Sequence, residues 1–198
     1  MTAESEASTT SVSGTYPLEL VLCAVEQPLA RAWEAAAEGR SGIRVHHGSV
    51  LDVQVQAVVS PANSFGWMRG GIDALYAEVF PNVEQTVRSG VLAFHGGELP
   101  VGEALIVPTG VPMPAWLISA PTMRRPGESL PHDTVHPYLA ARGVFRLWQS
   151  GLLDEGVLIR EVVRSIGLPG LGTGTGGVAP ETCARQVMAA WDEVFATR

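Results

Sequence analysis

The chain predicts an α/β layered fold, a mostly parallel sheet covered by helices on both faces, and three observations carry that prediction. Short apolar segments alternate with stretches of helical period. Several of those segments, such as Leu18 to Val25 (LELVLCAV), are apolar on both faces, as strands buried twice over must be. Two glycine-rich turns each stand between an apolar segment and a helical one: Ser60-Pro61-Ala62-Asn63 running on to Gly70-Gly71-Ile72-Asp73, and Pro169 to Gly177. In such sheets ligands sit beyond the carboxyl ends of the strands, and both turns fall there.

Leu18 to Val25 opens the sheet, and Leu29 to Glu38 follows as a helix with Trp33 among alanines, stopped near Gly39. Ile43 to His47 is the next strand. Ala57-Val58-Val59 is a short apolar strand ending at Ser60-Pro61, where proline stops the ladder. Helical period resumes from Gly71 to Phe80 and again from Val83 to Phe94, before His95-Gly96-Gly97 breaks it. Strands fit Ala104 to Pro108 and Trp116 to Ala120, and the loop Pro121 to Pro126 follows. Val135 to Gln149 suits an amphipathic helix, with Pro137 tolerable only in its first turn. Val162 to Leu168 is an apolar strand leading into the second glycine turn, and Pro180 to Phe195 is a terminal helix.

A chain of 198 residues, 46% of them hydrophobic, can bury one substantial core, so residues 16–198 are expected to form a single domain. Residues 1–15, rich in Ser and Thr, lack the basic start and apolar run of a secretion signal and read as a disordered tail. No run approaches the ~18 consecutive apolar residues of a membrane span. Cys23 and Cys183 lie far apart and read as reduced thiols of a cytoplasmic protein. A net charge of −7 disfavours strong nucleic-acid binding through a basic face, so an anionic ligand must be held by local geometry. All 13 basic residues are arginine, which excludes a lysine Schiff base and any phosphate loop built on Lys.

In the second turn Gly172, Gly174, Gly176 and Gly177 remove Cβ atoms where a ligand can approach the backbone, and Thr173 and Thr175 add hydroxyls. This composition fits a phosphate cradle at the head of the following helix, with a plain flexible turn as the alternative. In the first turn, Asn63 alone can cap a turn and Asp73 alone can answer the helix dipole. Beside Gly70-Gly71 the two together point to a site. His132 and His136 have chelating spacing but no third ligand nearby, so no metal is expected. Arg124 and Arg125 follow a strand at its carboxyl end, where a guanidinium can meet phosphate, a substrate's surface or only solvent. Ser64 lacks a nucleophile elbow.

In this order the residues resemble the macrodomains, as a divergent member of bacterial type. The family's Asn-Ala-Ala-Asn segment, glycine run and Val-Asp stand here as Ser60-Pro61-Ala62-Asn63 and Gly70-Gly71-Ile72-Asp73. Its second loop is matched by Gly172 to Pro180, and its Gly-Asp-Ile-Thr by Gly48-Ser49-Val50-Leu51. The resemblance implies a three-layer α/β/α sandwich with a central mixed, mostly parallel sheet. It implies that ADP-ribose or an ADP-ribosylated protein is the partner, bound by a monomer without a cofactor. By the resemblance, Asn63 contacts the distal ribose and Asp73 holds or activates water at its anomeric carbon. Ser49, Val50, Ala62, Gly70, Gly71 and Ile72 line the ligand, and Gly172, Thr173, Gly174, Thr175, Gly176 and Gly177 wrap the diphosphate. The family's adenine-binding aspartate falls on Ser49, with Asp52 as a substitute, and its loop aromatic falls on Val178. Phe65 or Trp67 is then the stacking surface.

The activity implied is hydrolysis of mono-ADP-ribose from Asp or Glu side chains, or deacylation of O-acetyl-ADP-ribose. The absence of lysine closes the covalent lysine route known in one branch of the family. A reader that binds ADP-ribose without turnover uses the same loops, and a phosphatase using the same cradle is the third alternative.

Overall fold

The structure is a computed structural model and describes residues 18–195, so the tail expected over residues 1–15 lies outside the described residues. Six strands form one sheet: β1 (Glu19–Ala24), β2 (Ile43–His47), β3 (Ala57–Ser60), β4 (Leu105–Pro108), β5 (Trp116–Ser119) and β6 (Ser165–Leu168). Their order is β2-β1-β6-β3-β5-β4, parallel throughout except where β4 pairs antiparallel with β5 at the edge. Helices α1 (Gln27–Ala37), α2 (Gly71–Val79), α3 (Val83–His95), α4 (His136–Ser150), α5 (Ile159–Val162) and α6 (Pro180–Phe195) join the strands among the described residues. Two 3-10 turns, Val50–Asp52 and Asp154–Gly156, punctuate it. Among the described residues no helix is long and apolar enough to cross a membrane.

Strand side chains alternate between faces, and β1 shows what each face buries. Leu20, Leu22 and Ala24 join a core with Trp33 of α1, Phe145 of α4 and Val187 of α6. Val21 and Cys23 join the opposite core with Tyr76 of α2 and Val87 of α3. The result is three layers, helix on sheet on helix. Each fully buried Leu or Ile here contributes about 1.5–3 kcal/mol relative to exposure.

The observed elements depart from the expected ones mainly before the last strand. The apolar run from Val162 does not begin β6; Ile159–Val162 is a short helix, closed by the Val163 N–H donating to the Ile159 carbonyl at 2.8 Å, and the strand starts at Ser165. Pro137 sits in the first turn of α4, where its missing N–H costs nothing. Cys23 and Cys183 are free and buried.

Because β1, β2, β3, β5 and β6 are parallel, the segments leaving their carboxyl ends gather at one edge of the sheet. Gly167 of β6 helps shape that edge: a Cβ there would lie 2.7 Å from Cγ2 of Val50. Its absence lets the turn after β2 settle on the sheet beside the two glycine turns.

Candidate functional site

The loops at the carboxyl edge enclose a cavity of about 710 Å³, lined by both glycine turns, by Gly48 to Val50 after β2, and by Thr122 and Met123 after β5. That volume suits one small-molecule ligand. Of the residues expected in the site, Ser49, Val50, Ala62, Asn63, Gly70, Gly71, Ile72, Asp73, Gly172, Thr173, Gly174, Thr175 and Gly176 all line it. Gly177 does not; it is exposed, turns the chain with a left-handed φ of 72°, and donates its N–H to the Gly174 carbonyl.

The second turn is organised by its carbonyls. Gly172, Gly174 and Gly176 accept bonds from the N–H groups of Val178, Gly177 and Leu130 at 2.9–3.0 Å. No acceptor among the described residues takes the N–H groups of Thr173, Gly174 or Thr175. A row of main-chain donors without protein partners, in a segment lining a cavity, is the equipment for an anion. A Cβ at Gly174 or at Gly70 would meet no protein atom within 4 Å, so packing does not require glycine at either place. The first turn adds the start of α2, capped at Gly70 without any side-chain bond, whose leading N–H groups carry the positive end of the helix dipole.

Asp73 stands in the first turn of α2 but does not cap it. Its side chain crosses to the sheet, where Oδ1 accepts a hydrogen bond from Oγ of Ser60, the last residue of β3, at 2.6 Å. Only 7% of Asp73 is exposed, and no cation among the described residues pairs with it. Burial pushes its carboxyl up to about 6, against the opposing effect of the Ser60 bond. Tyr76, one turn on, donates its hydroxyl to the Val59 carbonyl at 3.1 Å; burial first, then Asp73 and Cys23, hold its pKa well above the usual value. The Cys23 thiol, which also lines the cavity, is pushed up to about 12 by burial and stays neutral.

Asn63 is committed to its own loop. Its Nδ2 donates to the Trp67 carbonyl at 2.7 Å, and its Oδ1 accepts from the N–H groups of Phe65 and Trp67 at 3.2 and 3.3 Å. One amide N–H is left for a ligand. Glu84 of α3 fastens the loop further by accepting from the Met68 N–H at 2.8 Å. Trp67 lines the cavity with two guanidiniums over its ring, Arg88 at 3.5 Å and Arg69 at 4.2 Å from the centroid. Phe65 lies outside the lining, so the aromatic side chain at this end is Trp67 alone among the described residues.

Asp52, Val178, Arg124 and His136 lie outside the cavity lining. Asp52 is not a cavity residue: its Oδ2 accepts from the Ser49 N–H at 3.1 Å while Ser49 Oγ accepts from the Leu51 N–H, a reciprocal cap that uses both side chains. Val178 packs into the core. Arg124 forms a two-pronged pair with Glu98 at 2.6 and 3.0 Å, and it is Pro126 and Gly127, beyond both arginines, that line the cavity. His136 is bonded through Nδ1 to the Thr122 carbonyl at 2.8 Å. The wall contributed by Ala24, Val25, Glu26 and Leu29 was not expected, because Val25, which stands 78% exposed after β1, reads in the sequence as the last residue of an apolar strand.

Main-chain donors, an apolar wall and one buried carboxyl can together hold an anionic ligand and take up a proton beside it. The profile of the Macro domain family matches residues 59–187. An uncharacterized protein of Aquifex aeolicus (strain VF5) is 30% identical over 146 residues, covering 74% of this chain and 78% of that protein. A DNA ADP-ribosyl glycohydrolase of Thermus aquaticus is 28% identical over 138 residues, 69% of this chain but 34% of that protein. Among solved structures, the macrodomain of Mycobacterium tuberculosis DarG aligns with a TM-score of 0.58 at 22% identity, covering 74% of this chain and 87% of that one. An Oceanobacillus iheyensis macrodomain with ADP aligns at 0.55 and 18% identity, covering 72% of each chain. At these identities the solved structures show a shared fold.

Proposed function

The chain belongs to the Macro domain family, whose members bind or process ADP-ribose, and from that premise we propose that it is an ADP-ribosyl hydrolase releasing mono-ADP-ribose from Asp or Glu side chains. The observation that carries this reading is Asp73, a buried carboxyl without a cationic partner, lining the same cavity as the row of main-chain donors from Thr173 to Thr175. The diphosphate rests on those donors, which no acceptor among the described residues takes. The distal ribose then lies toward Asn63 and the head of α2.

Ionised Asp73 takes a proton from water as the water oxygen bonds to the anomeric carbon of that ribose. The bond from that carbon to the acceptor oxygen breaks, and its electron pair leaves with the acceptor. A carboxylate acceptor, with a pKa near ~4, departs without being protonated. An ester is therefore the conjugate that a site with one buried carboxyl and no lysine serves best. Positioning by the two turns supplies the larger part of the rate.

Release of ADP-ribose from an automodified, ester-linked substrate tests the reading. The wild type is expected to release it, with kcat/KM rising through an apparent pKa near the value of about 6 that burial gives Asp73. Asp73→Asn is expected to lower kcat by roughly 10²–10⁴-fold while calorimetric ADP-ribose affinity stays within about threefold. Full release by Asp73→Ala would sink the mechanism. Tight binding by the wild type with no release over long incubation would make the protein a reader. A substrate linked through a DNA base belongs in the same panel because of the name carried by the Thermus aquaticus relative, and preferential release from it would move the acceptor from protein to DNA.

A further inference from the structure

We propose that Ser60 is the positioning residue of the cleavage step, its hydroxyl holding one oxygen of Asp73 so that the carboxyl presents its other oxygen to the cavity. The inference rests on the hydrolase reading and adds to it a residue outside the cavity lining. Ser60 is fully buried at the end of β3, and its Oγ donates to Asp73 Oδ1 at 2.6 Å from 13 positions earlier in the chain. That contact is the single hydrogen bond of the Asp73 side chain among the described residues.

The other groups around the carboxyl leave it to this bond. Tyr76, on the same helix, spends its hydroxyl on the Val59 carbonyl, and Cys23, on β1, is a buried neutral thiol. Neither holds the carboxylate. A buried carboxyl with one donor and no counter-ion takes its orientation from that donor. The sheet supplies an internal comparison. Ser119 of β5 stands opposite Ser60 in register, is equally buried, and its Oγ has no hydrogen-bond partner. Two like hydroxyls lie side by side, and one of them meets the carboxyl.

The donor stabilises the charged form, so its removal makes the carboxyl harder to ionise. A base must be ionised to act, so the acid limb of the kcat profile moves to higher pH. Ser60→Ala is expected to move that limb up by roughly one pH unit and to lower kcat at pH 7 about tenfold, of which lost ionisation supplies roughly twofold and lost orientation of the carboxyl the rest, and to leave ADP-ribose affinity within about twofold. Ser119→Ala is expected to move neither limb nor rate. The carboxyl ¹³C titration of Asp73, followed by NMR in the wild type and both variants, reads the same contact without turnover and is expected to shift in Ser60→Ala alone.

An unshifted limb and an unshifted ¹³C titration in Ser60→Ala would overturn the assignment, as would an equal shift in Ser119→Ala. Failure of the underlying reading looks different. If Asp73→Ala keeps full activity, the base is elsewhere. If Asp73→Ala is inactive and Ser60→Ala has the wild-type profile, the hydrolase reading stands and Ser60 is only a packing residue.

Discussion

Asp73 concentrates the conflict between stability and chemistry at one residue. Its folded-state pKa of about 6 lies above the unfolded value near 3.9, so the folded protein holds that proton more tightly than the unfolded chain does. Stability is therefore highest below about pH 4 as far as this group is concerned; it falls as pH rises through about 6, by roughly 3 kcal/mol in all, and stays lower above. Asp73→Asn keeps the shape and an acceptor for Ser60 but carries no charge. We expect it to exceed the wild type by about 1–3 kcal/mol in urea denaturation at pH 7.5, with the gap closing by about pH 4.5. A variant no more stable at either pH would show that the carboxyl is not strained by burial. The sequence pointed to Asp73 through the Gly70-Gly71 before it, whereas Ser60 escaped notice because its partner lies 13 positions on and only the crossing of α2 over β3 brings them together. Asn63 was legible as a site residue but not as the tie of its own loop, since a strand-end Asn can serve a ligand or its own backbone with the same atoms.

At the scale of elements, most strands and helices could be read within a residue or two because two-sided burial leaves continuous apolar runs and one-sided burial leaves helical period. The failure at α5 has the same origin: Val162-Val163 is apolar in either conformation, and the choice is made by one backbone bond to Ile159. Glycines separate into two kinds that sequence alone does not distinguish. A Cβ at Gly143 of α4 would lie 2.7 Å from the backbone oxygen of Gly102, whereas one at Gly174 would meet no protein atom within 4 Å. Gly143→Ala is expected to destabilise by about 1–3 kcal/mol, the clash outweighing the roughly 1 kcal/mol that alanine gains in a helix, with ADP-ribose binding unchanged in the surviving fold. Gly174→Ala is expected to leave stability within about 0.5 kcal/mol and to weaken binding by about tenfold or more. Thermal denaturation and calorimetry on the two variants check both halves, and a Gly174→Ala protein with wild-type affinity would remove that loop from the ligand.

Over the whole molecule, a net charge of −7 opposes an anionic ligand, and the site answers with uncharged main-chain donors placed close together and with Arg69 at the cavity wall. The long-range field and the short-range site thus act in opposite directions. Salt screens the first far more than the second, so the association rate of ADP-ribose is expected to rise, by roughly two- to threefold, between about 20 and 200 mM NaCl in stopped-flow measurements. A falling rate would mean that Arg69 and Arg88 around Trp67 govern the approach instead. That the turns would meet at one edge followed from parallel topology, while the wall from Val25 to Leu29 did not, because it depends on how α1 leaves the sheet. The main-chain donors from Thr173 to Thr175 carry one more consequence. Every amino acid except proline brings the same N–H, so an inhibitor that draws its polar contacts from these amides leaves few single substitutions by which resistance can arise. Escape would have to come by filling the space or bending the chain, and either change strikes the natural ligand too.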